Sequence, residues 1–350
     1  MRQSQKASLF RLIKSLTKSE KRQFKLYVNR LGNNSNSKYL SLFNLIDKMK
    51  IYNELEISRA NVVKKDQLSN VKAHLHKQIL ISLRLSISSN SKRLQLREQL
   101  DYVYILYNKG LYDQSLQMLH RVKSLALKLD EKVVAFQAIE FEKIIQTQYL
   151  TQSSSDKASV LAKDSNEIAL LNMLSSSLSS LSLSLYTKIV QSGYVKSDKE
   201  FKEVTQFFQD NIRGVDMQTA GFNEKFWFYK SHLLYSMLVQ DLLAAYKFAN
   251  KWVELFYLSP QMIELHPVFF IRGHQHLFEL LYLLKYRSKF KEALKKFEET
   301  LWSSSFPMNN NISPYIFMGR YHNKINLHFL EGSFEEALPL ISTVLDGIAI

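Results

Sequence analysis

The chain has 350 residues, 46 % of them hydrophobic, with 9 Gly, 5 Pro and no Cys. That length supports a substantial core, the scarcity of Gly and Pro favours helices over turn-rich β architecture, and the missing thiols exclude disulfides, zinc–thiolate sites, iron–sulfur clusters and cysteine nucleophiles. The net charge of +15 lies wholly in Met1 to Leu100, with 21 Lys+Arg against 6 Asp+Glu; the rest of the chain balances at 26 against 26.

In chain order, the basic front reads as short helices. Leu9, Phe10, Ile13 and Leu16 make an apolar stripe. Met1 to Leu16 lacks the unbroken apolar run and small-residue cleavage site of a secretory signal, and the expected location is cytoplasmic. Thr17 to Glu20 matches a capping box, Thr17 as N-cap and Glu20 three residues on. Phe24, Tyr27, Val28 and Leu31 follow at helical spacing, with Gly32 as stop and Gly32 to Ser37 as a polar loop. Leu40, Phe43, Leu45, Ile46 and Met49 predict a further helix, and Leu68 to Leu83 a longer one. Ser88 to Lys92 reads as a linker between a basic domain, residues 1–90, and the balanced body, residues 94–350.

Ile168 to Thr187 is a twenty-residue uncharged run, long enough for a membrane span. Its many Ser residues interrupt the sustained apolar character a span needs, so a buried helix with close contacts at Ser is expected instead. Three segments of the balanced body are alike: Lys109 to Leu119, Arg287 to Phe297 and Glu331 to Ile341. Each carries a small residue, an aromatic two on, a small residue three further and an apolar residue four further. The sets are Gly110/Tyr112/Ser115/Leu119, Ser288/Phe290/Ala293/Phe297 and Gly332/Phe334/Ala337/Ile341, with Leu242/Ala245/Ala249 a degenerate fourth. The first residue is expected to close a turn between antiparallel helices, the aromatic to open the second helix, and the small residue to allow close packing.

These segments resemble the tetratricopeptide (TPR) repeat, whose turn and second helix read roughly G-x-Y-x-x-A-x-x-x-F. The intervals are longer than that family's repeat of about 34 residues. Leu12 to Arg30 together with Asn70 to Arg84 resembles the opening of an uncharacterised family of TPR-like proteins of Bacteroidetes. The resemblance implies an all-α fold, an α-solenoid of TPR-like hairpins behind a small basic helical domain. The last segment, ending Ile348-Ala-Ile350, has no polar cap, and the expectation is that further chain or another subunit covers it.

Motifs for catalysis are absent: no phosphate loop, no G-x-G-x-x-G, no G-x-S-x-G and no His-Glu-x-x-His. His74/His76 and His274/His276 each lie two residues apart, about 200° around a helix, so neither pair converges on an ion. Glu140/Glu142, Glu298/Glu299 and Glu335/Glu336 read as solvated faces. The expected protein is therefore a non-catalytic scaffold without cofactor or metal, holding a peptide or protein surface in the concave face of the solenoid. Candidate groove residues are Tyr104, Asn108, Tyr229, His232, Arg272, His276, Arg320 and Asn323. Phe226, Trp227, Phe269, Tyr315 and neighbouring rings belong to either core or groove. The alternative is a nucleic-acid-associated regulator, in which Lys14, Lys18, Lys21, Arg22, Lys25, Lys64, Lys65, Lys72, Lys77 and Arg84 neutralise phosphates while Tyr27 or Tyr39 stacks on bases. Assembly into a homo-oligomer is compatible with either.

Overall fold

A computed structural model describes residues 7–30, 35–87, 91–149, 155–213, 215–303, 306–309 and 311–348. Among these residues all the regular structure is α-helical, in seventeen helices with no strand. Two compact units divide the chain, Met1–Tyr102 and Val103–Ile350.

The first unit contains α1 (Ser8–Ser15), α2 (Lys18–Arg30), α3 (Ser35–Lys48), α4 (Glu54–Arg59), α5 (Leu68–Ile87) and the start of α6 (Lys92–Asn108). The capping box forms: the Thr17 amide donates to Glu20 Oε2 at 2.7 Å and the Glu20 amide to Thr17 Oγ1 at 3.2 Å. Ile13, Phe24, Phe43, Ile46, Leu75 and Ile79 are buried together, with the Phe24 and Phe43 rings 4.8 Å apart. Two features differ from the sequence reading. α3 starts at Ser35, inside the expected loop, because Ser and Asn suit a helix start as well as a turn. The short α4 had no periodic signal; Asn53 opens it by accepting from the amides of Leu55 and Glu56. Leu31, Gly32 and the Ser88–Asn90 part of the linker lie outside the described residues.

The second unit continues with α7 (Tyr112–Lys128), α8 (Lys132–Tyr149), α9 (Ser155–Ser192), α10 (Asp198–Ile212), α11 (Phe222–Leu238), α12 (Leu242–Leu258), α13 (Gln261–Leu265), α14 (Pro267–Leu283), α15 (Arg287–Leu301), α16 (Ser313–Glu331) and α17 (Phe334–Ile348). Helices consecutive in sequence pack as neighbours: α7 on α8, α8 on α9, α11 on α12, α14 on α15 and α16 on α17. The largest core joins Phe226, Trp252, Phe256, Phe270, Phe278 and Phe297. Gly273 is needed there, since a Cβ would stand 2.9 Å from Trp252 Nε1.

Turns between paired helices share one device. Gly110, Asp130, Gln240, Lys285 and Gly332 all adopt left-handed φ, between 50° and 80°. The residue after each donates its amide five positions back: Leu111 to Leu106, Glu131 to Ala126, Asp241 to Ser236, Tyr286 to Leu281 and Ser333 to His328, at 2.8–3.0 Å. Gly110 and Gly332 close their turns as expected. Ser288 does not: Lys285 takes the left-handed position, and Phe290 lies one turn inside α15 instead of opening it. A non-glycine side chain tolerates αL at modest cost, and the short motif, anchored on a small residue, slipped by three positions.

α9 is long and apolar enough, by length and composition, to cross a membrane, and 28 % of its most apolar window is buried. It packs on α8, α10 and α11. Ser231 Oγ of α11 donates to the Leu178 carbonyl of α9 at 3.1 Å.

Candidate peptide-binding site

Three helices supply a row of cations and aromatic rings. Pro267 starts α14 and Pro314 sits in the first turn of α16, each supplying a preset φ where no intrahelical amide bond is lost. On α11 and α14, Phe226 and Phe269 stack at 4.7 Å and Trp227 meets Phe269 edge-on at 5.8 Å. Lys230 Nζ lies 4.9 Å from the Trp227 ring centre and 5.9 Å from that of Phe269. One turn along α14, the Arg272 guanidinium stands 4.8 Å over the Tyr315 ring of α16. Desolvation first, and the nearby Arg272 charge second, hold the Lys230 ammonium below its ordinary pKa. Neither cation has a carboxylate within ion-pair distance among the described residues; Arg272 donates only to Gln275 Oε1 at 3.3 Å.

This row runs into an open cleft of about 500 Å³ between α14 and α16. Gln275, Glu279 and Tyr282 form one wall, and Met318, His322, Asn323 and Asn326 the other. Asn323 is buried at its floor. Amides, an imidazole and a carboxylate beside two aromatic-backed cations can bind main-chain amides and anionic side chains together.

The structure places the eight groove candidates in several environments. Arg272 and Asn323 belong to the row and its cleft. Arg320 turns to α15, 3.7 Å from Glu298 and 5.1 Å over Trp302. His276 lies against Trp252 of α12 and 3.8 Å from Glu279. Tyr229 and His232 face α12, under Lys251 and on Phe248 respectively. Burial, then the charges of Lys251 and Lys247, push the His232 imidazole down to about 4. Tyr104 is half exposed and stacks on Phe141 at 4.2 Å, and Asn108 is exposed at the end of α6. Lys230, Gln275, Glu279 and His322 were missed. Helical period alone groups Lys230 with α11's polar positions without showing which side meets α14.

A second cleft, about 290 Å³, lies between α12 and α15. Beneath it His274 Nδ1 donates to the Phe270 carbonyl at 3.0 Å, so its Nε2 accepts from the Tyr257 hydroxyl at 3.1 Å. Burial pushes His274 down to about 3 and Tyr257 up to about 12. A neutral imidazole satisfied at both nitrogens and a phenol that keeps its proton make a structural pair, poorly suited to acid–base work near neutral pH. Among the described residues no three His, Asp or Glu side chains converge as metal ligands.

In the first unit the ten basic candidates divide by use. Lys14 donates to the Asp47 carbonyl and Lys21 to its carboxylate, both at 2.7 Å. Lys72 meets Glu54 at 3.2 Å and Arg84 meets Asp101 at 2.8 Å. Lys18, Arg22 and Lys25 follow one face of α2; Lys64 and Lys65 sit in the loop before α5, and Lys77 is exposed on α5. These six have no ion pair among the described residues. The two candidate stacking rings are engaged: the Tyr27 hydroxyl donates to Gln78 Oε1 at 2.7 Å, and Tyr39 stacks on His74 at 4.7 Å.

No family model, curated protein or solved structure matches the chain.

Proposed function

We propose that the chain is a non-catalytic binding protein: a solenoid of TPR-like hairpins that holds an extended peptide along α11, α14 and α16, the peptide presenting carboxylates beside apolar side chains. The observation that carries this reading is the pair Lys230 and Arg272, held over Trp227, Phe269 and Tyr315 with no carboxylate partner of their own. A bound carboxylate would gain a charge-assisted hydrogen bond without displacing an existing ion pair. The adjoining cleft supplies amide partners for a peptide main chain.

The test is fluorescence anisotropy with the whole chain and labelled nonapeptides alternating Asp with Leu, or Lys with Leu. The Asp/Leu peptide is expected to bind, with a loss of tenfold or more for Lys230→Glu with Arg272→Glu. Equal binding of both peptides, or no loss in the double variant, refutes the reading.

A second reading rests on the six unpaired cations of the first unit: contact with a nucleic-acid backbone. Whole-chain binding to a generic duplex is then expected to weaken with salt at a slope of about 0.9 per neutralised phosphate. Absence of binding at low salt removes it.

A further inference from the structure

We infer that the cleft between α14 and α16 receives one arginine side chain of the bound peptide, with Glu279 as its counter-ion. This rests on the peptide-binding reading above and adds to it a basic residue at a set distance from the acidic ones.

Three observations converge on the cleft. The first is charge. Glu279 is the only Asp, Glu, Lys or Arg in the described lining. No Lys or Arg pairs with it among the described residues. The His276 imidazole stands off at 3.8 Å, beyond hydrogen-bond distance, and half of the Glu279 side chain is exposed. The second is an unused amide. Asn323 is 4 % exposed at the cleft floor, and its side chain makes no hydrogen bond among the described residues. A buried amide without a partner costs free energy, which a donor entering the cleft would recover. The third is space. Gly319, one turn before Asn323 on the same side of α16, is buried, yet a Cβ there would meet no atom within 4 Å. Glycine is unfavourable inside a helix, and no described neighbour requires it here. Its missing side chain keeps the floor open beside the Asn323 amide.

The ligand follows from these groups. Acceptor oxygens on Glu279 and Asn323 call for a donor that is cationic and bears several N–H groups, as a guanidinium does. Tyr282, Leu283 and Met318 supply apolar surface for its methylene stem. Lys230 and Arg272 hold the other end of the row, where a further cation would be repelled. Arg272 and Glu279 are two turns apart on α14, about 10 Å along the axis. About three residues of extended peptide cover that distance. The feature read is thus an acidic residue and an arginine separated by two others.

The test uses labelled nonapeptides with the whole chain, read by anisotropy. Each peptide has two Asp residues among Leu and Ala, and either Arg or its neutral isostere citrulline three positions away; a second set reverses the order to cover both chain directions. In one direction the Arg peptide is expected to bind about fivefold more tightly than the citrulline peptide, the scale of a partly exposed ion pair in good geometry. Glu279→Gln is expected to erase that preference. Gly319→Leu is expected to erase it as well, without lowering the melting temperature, because leucine is the better helix former and has room. Equal affinity of Arg and citrulline peptides in both directions overturns the inference, while their binding leaves the acidic-peptide reading standing. A preference that survives Glu279→Gln overturns it too, and failure of every peptide to bind overturns both.

Discussion

Lys132→Met is expected to be among the most damaging single substitutions in the second unit. Lys132 opens α8, and its ammonium reaches Asp130 and, at 2.8 Å, Glu224 Oε2 in the first turn of α11. Glu224 is fully buried and also accepts from the Gly221 amide at 2.9 Å and, through Oε1, from Ser175 Oγ of α9 at 2.5 Å. Asp130 accepts from the Asn223 amide at 2.7 Å. One cation thus neutralises two carboxylates at the meeting of α8, α9 and α11. Methionine fills similar space and leaves both carboxylates buried without a counter-ion, a loss on the order of 3–5 kcal/mol. Glu224→Gln should cost less, about 1–2 kcal/mol, because its carbonyl can replace Oε2 and Ser175 can turn to accept from its amide. The double variant should lose less than the sum of the singles. All three tryptophans lie in the second unit, so urea titration read by tryptophan fluorescence follows it directly. Burial already raises the Asp130 pKa, so its protonated form is favoured on folding, and acidification toward pH 4 should restore part of the Lys132→Met loss. A cost below about 1 kcal/mol, the level of an exposed pair, or strict additivity of the two substitutions, would refute the reasoning.

Four further outcomes follow from local geometry. His274 titrates near 6.5 when unfolded and about 3 when folded, so it contributes stability above pH 6.5 that is lost as pH falls toward 3; His274→Gln should flatten the urea midpoint between pH 6.5 and 4.5. Gly273→Ala should destabilise the second unit by about 1–3 kcal/mol through overpacking against Trp252, measured by thermal melting. Lys285→Gly should stabilise by about 1 kcal/mol, because glycine adopts the left-handed turn conformation without the Cβ penalty, whereas Gly332→Ala should cost a similar amount in the same assay. If duplex binding occurs, Lys18→Gln with Arg22→Gln and Lys25→Gln should lower its salt slope by about 2–3, while Lys21→Gln, at a residue tied to Asp47, should change it least.

Much of the helical organisation was legible because helices report themselves twice, in apolar period and in caps. Thr17 with Glu20, and Phe24 with Val28, located α2 closely. α4 was hidden: six residues hold too few turns to show a period, and its start depends on Asn53. The turn before α15 was misplaced because Lys285 occupies the left-handed position and Ser288 resembled the motif's small residue. The candidate site was legible only in part. Arg272 was identifiable as a cation on a first helix, but its value comes from Tyr315, forty-three residues away, and the Lys230 environment depends on Phe269 of another helix. Such pairings follow from how helices are rotated against each other, which period within one helix does not encode. Tyr229 and His232 illustrate the same point: polar by composition, they face α12.

The turns also bear on how this architecture accumulates change. Each is tied by a main-chain bond to the end of its own helix, and Gly, Asp, Gln and Lys all serve at the bend. A duplicated pair would bring its corner geometry along, without help from adjoining pairs. The corners at Gln240, Lys285 and Gly332 fall 45 and 47 residues apart, so segments between them have room to lengthen or shrink independently. Drift at these bends would erase the glycine signature early while leaving the corners standing, and lineages could diverge in spelling long before they diverge in shape.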